Sequence, residues 1–191
     1  MPSVLEITRA LYGTWRLARL DRTGMTWFEA TPEGFWRSFF AFAIVAPGYA
    51  VLKLVEHSSE AALAASVPRI LVVDAIAYVV QIVAYPLAML FLCRAFGKSD
   101  RYIGFIVALN WSVVLQMALL VPTRLFAASQ ATAMGFGDTL ALTAVFAVLF
   151  YQWFITRTAL EVPGMIALGA VLVDLVVGKI VSDLAYGLLQ V

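Results

Sequence analysis

The stretch that decides the fold is residues 163–189, PGMIALGAVLVDLVVGKIVSDLAYGLL. It is long and apolar enough to cross a bilayer, because a transmembrane helix needs about 20 predominantly apolar residues. Three charged residues interrupt it: Asp174, Lys179 and Asp183. A charge at the bilayer centre costs at least ~2.5 kcal/mol unless it is compensated, so other membrane helices must supply partners. The stretch therefore predicts one helix of a membrane bundle.

One face of this helix is small or polar. Asp174, Gly178 and Ser182 recur at intervals of four residues, which places them one above the other. Small residues let two helix backbones approach closely in a membrane. We expect Gly178 and Ser182 to pack against another helix, and the opposite Leu/Val face to meet lipid.

The composition of the whole chain agrees with this class. Hydrophobic residues make up 63% of the 191 positions and charged residues 13%, against about 45–50% apolar residues in a typical soluble domain. A net charge of +1 argues against a nucleic-acid-binding protein, which would carry a basic face. The partners expected are the lipid bilayer and other integral membrane proteins, or further copies of this chain.

Sequence motifs for catalysis or metal binding are missing. Cys93 is the single cysteine and His57 the single histidine, which excludes an intramolecular disulfide and a cysteine-based zinc site. The sequence has no HExxH, GxSxG, Walker A or CxxC pattern. We therefore expect neither an enzyme nor a bound cofactor or metal.

Hydropathy predicts an all-α, polytopic membrane helix bundle with five transmembrane helices in residues 35–191. The predicted spans are about 35–55, 68–93, 102–121, 139–155 and 163–189. Thr31-Pro32-Glu33 is typical of a helix start, with Thr as N-cap and Pro at the first position. Pro122 is expected to end the third span, and 123–138 to form a loop in which 124–134 could be a short interfacial helix.

Residues 1–34 are predicted to be a cytoplasmic amphipathic helix and a linker. Val4, Ile7, Leu11, Trp15 and Ala18 have helical spacing, and arginines occupy other positions. This pattern favours an interfacial helix on the membrane surface, with docking on another protein as the alternative. The residues expected at the surface are Arg9, Trp15, Arg16, Arg19 and Arg22.

The cationic residues predict the orientation. With five spans, nine Lys and Arg residues lie on the side of the N-terminus, in 1–37, 94–101 and 156–162, and four lie towards the other side. Cytoplasmic loops carry the excess of Lys and Arg, so the N-terminus is predicted to be cytoplasmic and the C-terminus external. The expected location is a bacterial inner membrane.

Polar residues inside the spans form a predicted cluster. Asp74, Tyr78, Gln81 and Tyr85 follow one stripe of the second span, which must face protein or water. The full cluster comprises Asp74, Tyr78, Gln81, Tyr85, Asn110, Asp174, Lys179 and Asp183.

The depths of these residues suggest partners. At a helical rise of ~1.5 Å per residue, Asp74 and Lys179 lie at similar distances from the outer surface, so we expect them to form an ion pair. Asp183, one turn beyond Lys179, competes with Asp74 as the partner of Lys179. Asp174 lies near the midplane, and we expect it to be hydrogen-bonded to Gln81 or Tyr85. The Asp74–Lys179 pair either fixes the register of the helices or belongs to a polar cavity or proton-sensitive gate.

Two stretches resemble the Yip/Yif family of five-span membrane proteins, whose eukaryotic members act in vesicle trafficking with Rab partners. They are FGKSDRYIGFIVALNWSVVLQMALLVP, residues 96–122, and WFITRTALEVPGMIALGAVLV, residues 153–173. The resemblance implies five spans, a cytoplasmic N-terminus and an external C-terminus. The family's Asp-Leu-Tyr-Gly-Pro type motif is missing from this sequence, so Rab binding is not carried over.

Two functions remain open at this point. The preferred hypothesis is a non-enzymatic membrane scaffold, assembly or accessory protein that binds other membrane proteins through its small-residue faces and N-terminal helix. The alternative is a small transporter or channel-like protein that uses the polar stripe of the second span.

Overall fold

The computed structural model describes residues 1–57, 66–129 and 135–190, and all regular structure in these ranges is helical. The helices are α1 (Val4–Ala18), α2 (Pro32–Ser38), α3 (Phe40–Glu56), α4 (Val67–Ala95), α5 (Tyr102–Ala128), α6 (Phe136–Leu160) and α7 (Gly164–Gln190). Short 3₁₀ turns cover Arg22–Trp27 and Ser99–Arg101. Five helical stretches, α2 with α3 and then α4 to α7, are long and apolar enough to cross a membrane. The predicted all-α bundle of five spans is confirmed.

The start of the first span was predicted correctly. The Thr31 side chain accepts a hydrogen bond from the Gly34 amide at 3.0 Å, and Pro32 is the first helical residue. The helix is interrupted at Phe39 and then continues as α3, which includes Pro47.

The predicted end of the third span at Pro122 is wrong. Helix α5 continues through Pro122 to Ala128. Proline removes only one donor from a helix, and in apolar surroundings a helix remains the way to satisfy the other backbone groups. The predicted loop 123–138 is correspondingly shorter, because α6 begins at Phe136 after Gly135, whose φ is +90°. Residues 130–134, and 58–65 of the predicted loop 56–67, lie outside the described residues.

The spans run up and down, which gives the bundle two different ends. The hairpin end holds the α4–α5 and α6–α7 connections, 96–101 and 161–163. The loop end is where α3, α5 and α7 end and α4 and α6 begin. Helix α5 packs along α3 and α6, while α7 packs along α4 and α6. Helix α3 meets α4 through side chains, since the Tyr78 hydroxyl of α4 donates to the Phe42 carbonyl of α3.

Helix α1 docks on the bundle of its own chain. Its residues Ala10, Thr14 and Leu17 are buried against α5 and α6, and the Tyr151 hydroxyl donates to the Thr14 carbonyl at 2.8 Å. Trp15, by contrast, is 53% exposed. The helical prediction is correct, and Ile7 and Leu11 of the predicted apolar stripe pack against the bundle. Val4, Trp15 and Ala18 of that stripe are exposed, because the buried face is centred on Ala10, Thr14 and Leu17.

The turn after α1 is held tightly against it. A Cβ on Gly24 would lie 2.7 Å from the Gly13 carbonyl oxygen, so only glycine permits this approach. Asp21 begins the turn. Hydrogen bonds from the Thr23 side chain and from Arg16 lower the pKa of the Asp21 carboxyl below its ordinary value of 3.8.

Candidate functional site: a polar cavity between the spans

A cavity of about 450 Å³ lies between α3, α4, α5, α6 and α7; we call it the central cavity. Its wall combines apolar side chains with a set of polar ones from all five helices. The polar and charged members are Tyr49, Lys53, Glu56, Tyr78, Gln81, Tyr85, Asn110, Gln116, Gln152, Asp174 and Ser182. Most of the polar cluster predicted from the sequence is therefore brought together around one space.

Asp174 is the carboxylate that α7 contributes to this wall within the membrane-spanning part. The Gln152 side-chain amide, from α6, donates to Asp174 Oδ2 at 3.2 Å. The same amide nitrogen lies 3.5 Å from the side-chain oxygen of Gln116 on α5, and the Gln116 amide donates to Ser112 Oγ at 2.9 Å. This chain of side chains connects three helices and fixes the carboxylate at the cavity wall. The expected partners Gln81 and Tyr85 were wrong.

The polar stripe of α4 faces the protein, as predicted. The Tyr78 hydroxyl donates to the Phe42 carbonyl of α3 at 2.6 Å, and the Tyr78 and Tyr49 rings lie 4.5 Å apart. The Tyr85 hydroxyl donates to a backbone carbonyl of α7 at 3.4 Å. Gln81 lies next to Gly178, where an added Cβ would be 3.3 Å from the Gln81 nitrogen.

The predicted packing face of α7 is turned inward. Gly178 and Ser182 both line the central cavity, together with Asp174. The small face therefore meets α4 and the cavity, which is consistent with the packing expected for it.

Asn110 supports the wall from α5. Its side chain is 2% exposed, and its amide donates to Ser38 Oγ at 2.8 Å. Ser38 in turn donates to the Phe35 carbonyl at 2.7 Å, which connects α5 to the end of α2. Asn110 thus has a clear structural role in joining the first and third spans.

The hairpin end of the central cavity is closed by an apolar plug, a cluster of buried side chains from four spans. Its members are Tyr85, Met89, Cys93, Phe105, Ile106, Ala159, Leu160, Val162, Ala167 and Ala170. The Tyr102 hydroxyl adds a hydrogen bond to the Pro86 carbonyl at 3.0 Å, which holds α4 against α5 at this level.

The loop end carries a second cavity of about 250 Å³, which we call the vestibule. Lys53, Glu56, Ser182 and Ala185 line both the vestibule and the central cavity, so the two spaces adjoin. Lys53 and Glu56 are themselves paired at 2.6 Å. Polar side chains therefore continue from the loop end to Asp174 in the middle of the bundle.

The vestibule also shows that the predicted Asp74–Lys179 pair is wrong. Asp74 Oδ2 lies 2.8 Å from His57 Nε2, and the two side chains are 14% and 17% exposed. Lys179 pairs instead with Asp183, the competitor one turn further along its own helix. The Lys179 side chain is 74% exposed, because its long stem carries the ammonium outward rather than into the bundle.

Sequence reasoning missed two important residues. His57 ends α3 beside a loop, where a single histidine gives no pattern, and only the antiparallel packing of α3 and α4 brings it to Asp74. Gln152 lies within the aromatic run Tyr151, Trp153 and Phe154, where a single amide forms no recognisable pattern. A polar residue inside a predicted span was the available signal for Gln152.

No protein-family model, curated protein or solved structure matches this chain. What the protein does has to be inferred from the side chains of the cavity.

Proposed function

We propose that the chain binds a small cationic solute in the central cavity and acts as a small transporter or channel-like protein. The observation that carries this proposal is the position of Asp174, a carboxylate at the wall of a 450 Å³ cavity inside the membrane-spanning bundle. Membrane proteins retain such groups mainly on substrate or ion pathways, because they are costly in lipid.

The lining explains why the solute is a cation. Among the described residues that line the central cavity, the only cationic side chain is Lys53, and it is paired with Glu56. A bound cation would compensate the Asp174 carboxylate, and the paired rings of Tyr49 and Tyr78 could contact it through cation–π interactions. Cavities of about 300–1,000 Å³ hold small organic molecules, so a compact alkylammonium ion fits.

The direction of access follows from the plug. Apolar side chains close the hairpin end, while the vestibule adjoins the cavity at the loop end. We infer that the solute enters from the loop end, passes Lys53 and Glu56, and reaches Asp174.

Uptake into proteoliposomes tests the proposal. The purified chain should take up radiolabelled tetramethylammonium, and Asp174→Asn should reduce uptake by about tenfold or more, equivalent to the loss of ~1.4 kcal/mol of binding. The matched control is Asp138→Asn, which neutralises an exposed carboxylate in the first turn of α6 that lines neither the central cavity nor the vestibule. Equal uptake by the wild type and Asp174→Asn, or uptake no greater than in empty liposomes, would contradict the proposal.

An accessory role remains the second proposal. Apolar side chains such as Leu172, Val176 and Ile180 are exposed on α7 and can meet either lipid or another membrane protein. Gly178 and Ser182, which first suggested a docking face, point into the bundle, so a partner would use these larger side chains. Recovery of a defined membrane protein by pull-down in mild detergent, lost on Val176→Arg, would favour this role over transport.

The orientation and family are proposed separately. We propose a cytoplasmic N-terminus, an external C-terminus, residence in a bacterial inner membrane and membership of the Yip/Yif family. The orientation is tested by replacing Cys93 with alanine and adding Ser99→Cys. A membrane-impermeant thiol reagent should label Cys at this position only after the cytoplasmic side is exposed, and labelling in intact cells would reverse the assignment.

A further inference from the structure

Three arginines surround a separate cavity of about 480 Å³ at the hairpin end, which we call the basic pocket. Arg22 comes from the turn after α1, Arg101 from the turn before α5, and Arg157 from the last turns of α6. The remaining lining consists of Met25, Thr158, Ala159, Glu161 and Val162. Docking of the N-terminal segment on the spans is what brings Arg22 to the other two arginines.

The arginines differ in how they are held. Arg101 is paired with Glu161 at 2.6 Å, which fixes one side of the pocket. Arg157 lies over the Trp153 ring at 5.4 Å. In the part of the chain that the structure describes, neither Arg22 nor Arg157 has a carboxylate within ion-pair distance. The pocket thus has three guanidinium groups and one carboxylate, which leaves it positively charged.

Thr158 supplies an independent observation. Its hydroxyl oxygen is buried and is the one such side-chain atom without a hydrogen-bond partner among the described residues. The neighbouring Thr156 hydroxyl, by comparison, donates to the Gln152 carbonyl at 2.8 Å. Buried polar groups are nearly always satisfied, so this hydroxyl retains the capacity to bond a ligand oxygen, which can reach it once the pocket side chains around it move.

We propose that the basic pocket binds a phosphate group, with Arg22 and Arg157 as its charged donors and Thr158 as a neutral one. Guanidinium groups form paired hydrogen bonds to phosphate oxygens and are preferred over ammonium groups for this purpose. The pocket lies where the spans end, and Trp153 beside it is a residue type enriched at membrane interfaces. The phosphate belongs either to the headgroup of an anionic lipid or to a soluble phosphate compound.

The experiment uses the full chain in a neutral detergent. Native mass spectrometry would measure retention of phosphatidylglycerol against phosphatidylcholine, and competition by inorganic phosphate would separate the two sources. The variants are Arg22→Gln, Arg157→Gln and Thr158→Val, of which the last keeps the shape of the side chain. Arg124→Gln is the matched control, because Arg124 is a cation near the loop end of α5.

Each arginine variant should weaken phosphatidylglycerol binding by about fivefold, as expected for one cation acting on an anionic lipid, and Arg124→Gln should leave it unchanged. Thr158→Val should weaken binding without lowering the melting temperature, a combination that a purely structural role would not give. Displacement of the lipid by millimolar inorganic phosphate would assign the site to soluble phosphates, and resistance to it would assign the site to lipid. Equal weakening by Arg124→Gln would show a general charge effect and overturn the proposal, as would unchanged binding in all three pocket variants.

Discussion

The pairing of Asp74 with His57 gives the sharpest test of the helix arrangement. The perturbation is a double-mutant cycle with His57→Ala and Asp74→Ala, compared with a second cycle that combines Asp74→Ala with Lys179→Ala. The first cycle probes the contact between α3 and α4 in the vestibule. The second probes the pairing predicted from depth alone.

The structure sets the expected magnitudes. Nitrogen and oxygen of the His57–Asp74 contact are 2.8 Å apart, and both side chains are less than one-fifth exposed. Contacting polar groups of this kind have coupling energies of roughly 0.5–3 kcal/mol, and limited solvent exposure favours the upper part of that range. Lys179 is 74% exposed and paired with Asp183, so its coupling to Asp74 should lie within the ~0.3–0.5 kcal/mol typical of additive sites.

The assay is thermal unfolding of the purified single and double variants in detergent. In a chain of this size ~1 kcal/mol corresponds to roughly 2–4 °C, so a coupling of ~2 kcal/mol between His57 and Asp74 appears as a non-additivity of roughly 4–8 °C. Additive losses for His57 and Asp74, together with strong coupling between Asp74 and Lys179, would refute the arrangement described here and restore the pairing predicted from the sequence.

Three further predictions concern Ser38, which supports the wall of the central cavity, and Gly24 and Asp21 in the turn after α1. Ser38→Ala removes the acceptor of a buried amide and should lower the free energy of unfolding by ~1–3 kcal/mol; an unchanged melting temperature would contradict this. Gly24→Ala should destabilise the protein by ~1–3 kcal/mol, because the added methyl group would overlap the backbone of α1. Gly169→Ala meets open space and should stabilise α7 by up to ~1 kcal/mol. Equal effects of the two variants in thermal unfolding would contradict the close approach of Gly24 to Gly13. Hydrogen bonds from Thr23 and a nearby guanidinium lower the pKa of Asp21, so its stabilisation of the N-terminal turn is present above about pH 4 and lost as the pH falls below this value. In acid titrations followed by tryptophan fluorescence, Asp21→Asn should remove the fluorescence change that accompanies protonation of Asp21. A titration curve identical to that of the wild type would contradict this role of Asp21.

The sequence predicted the spans well because membrane insertion depends on local properties. Length and apolar composition identified all five helices, and the N-cap at Thr31 was readable from three adjacent residues. The end of the third span was misplaced because Pro122 was treated as a stop. The energetic demand for backbone hydrogen bonds in apolar surroundings outweighs the one bond that proline removes.

The candidate site was predictable only in part. The stripe of Tyr78, Gln81 and Tyr85 had to face inward because it follows one helical face, and it does. Partners could not be assigned in the same way, because depth along a helix does not say which helices are neighbours. Asp74 meets His57 and Asp174 meets Gln152 because of how α3 lies beside α4 and α6 beside α7.

The two ends of the bundle differ in whether the apolar plug blocks them, so solute binding and transport place different demands on the structure. The vestibule and the central cavity share part of their lining, so a solute that enters from the loop end would meet Asp174 before it meets the plug. Passage to the hairpin end requires that plug side chains of the four spans, such as Met89 of α4 and Phe105 of α5, move apart. Pro86 lies one turn before Met89 and two turns before Cys93, and it lacks a backbone donor, so one backbone hydrogen bond of α4 is missing there. A transport cycle therefore has to open the plug between the four spans, whereas solute binding alone leaves the plug closed.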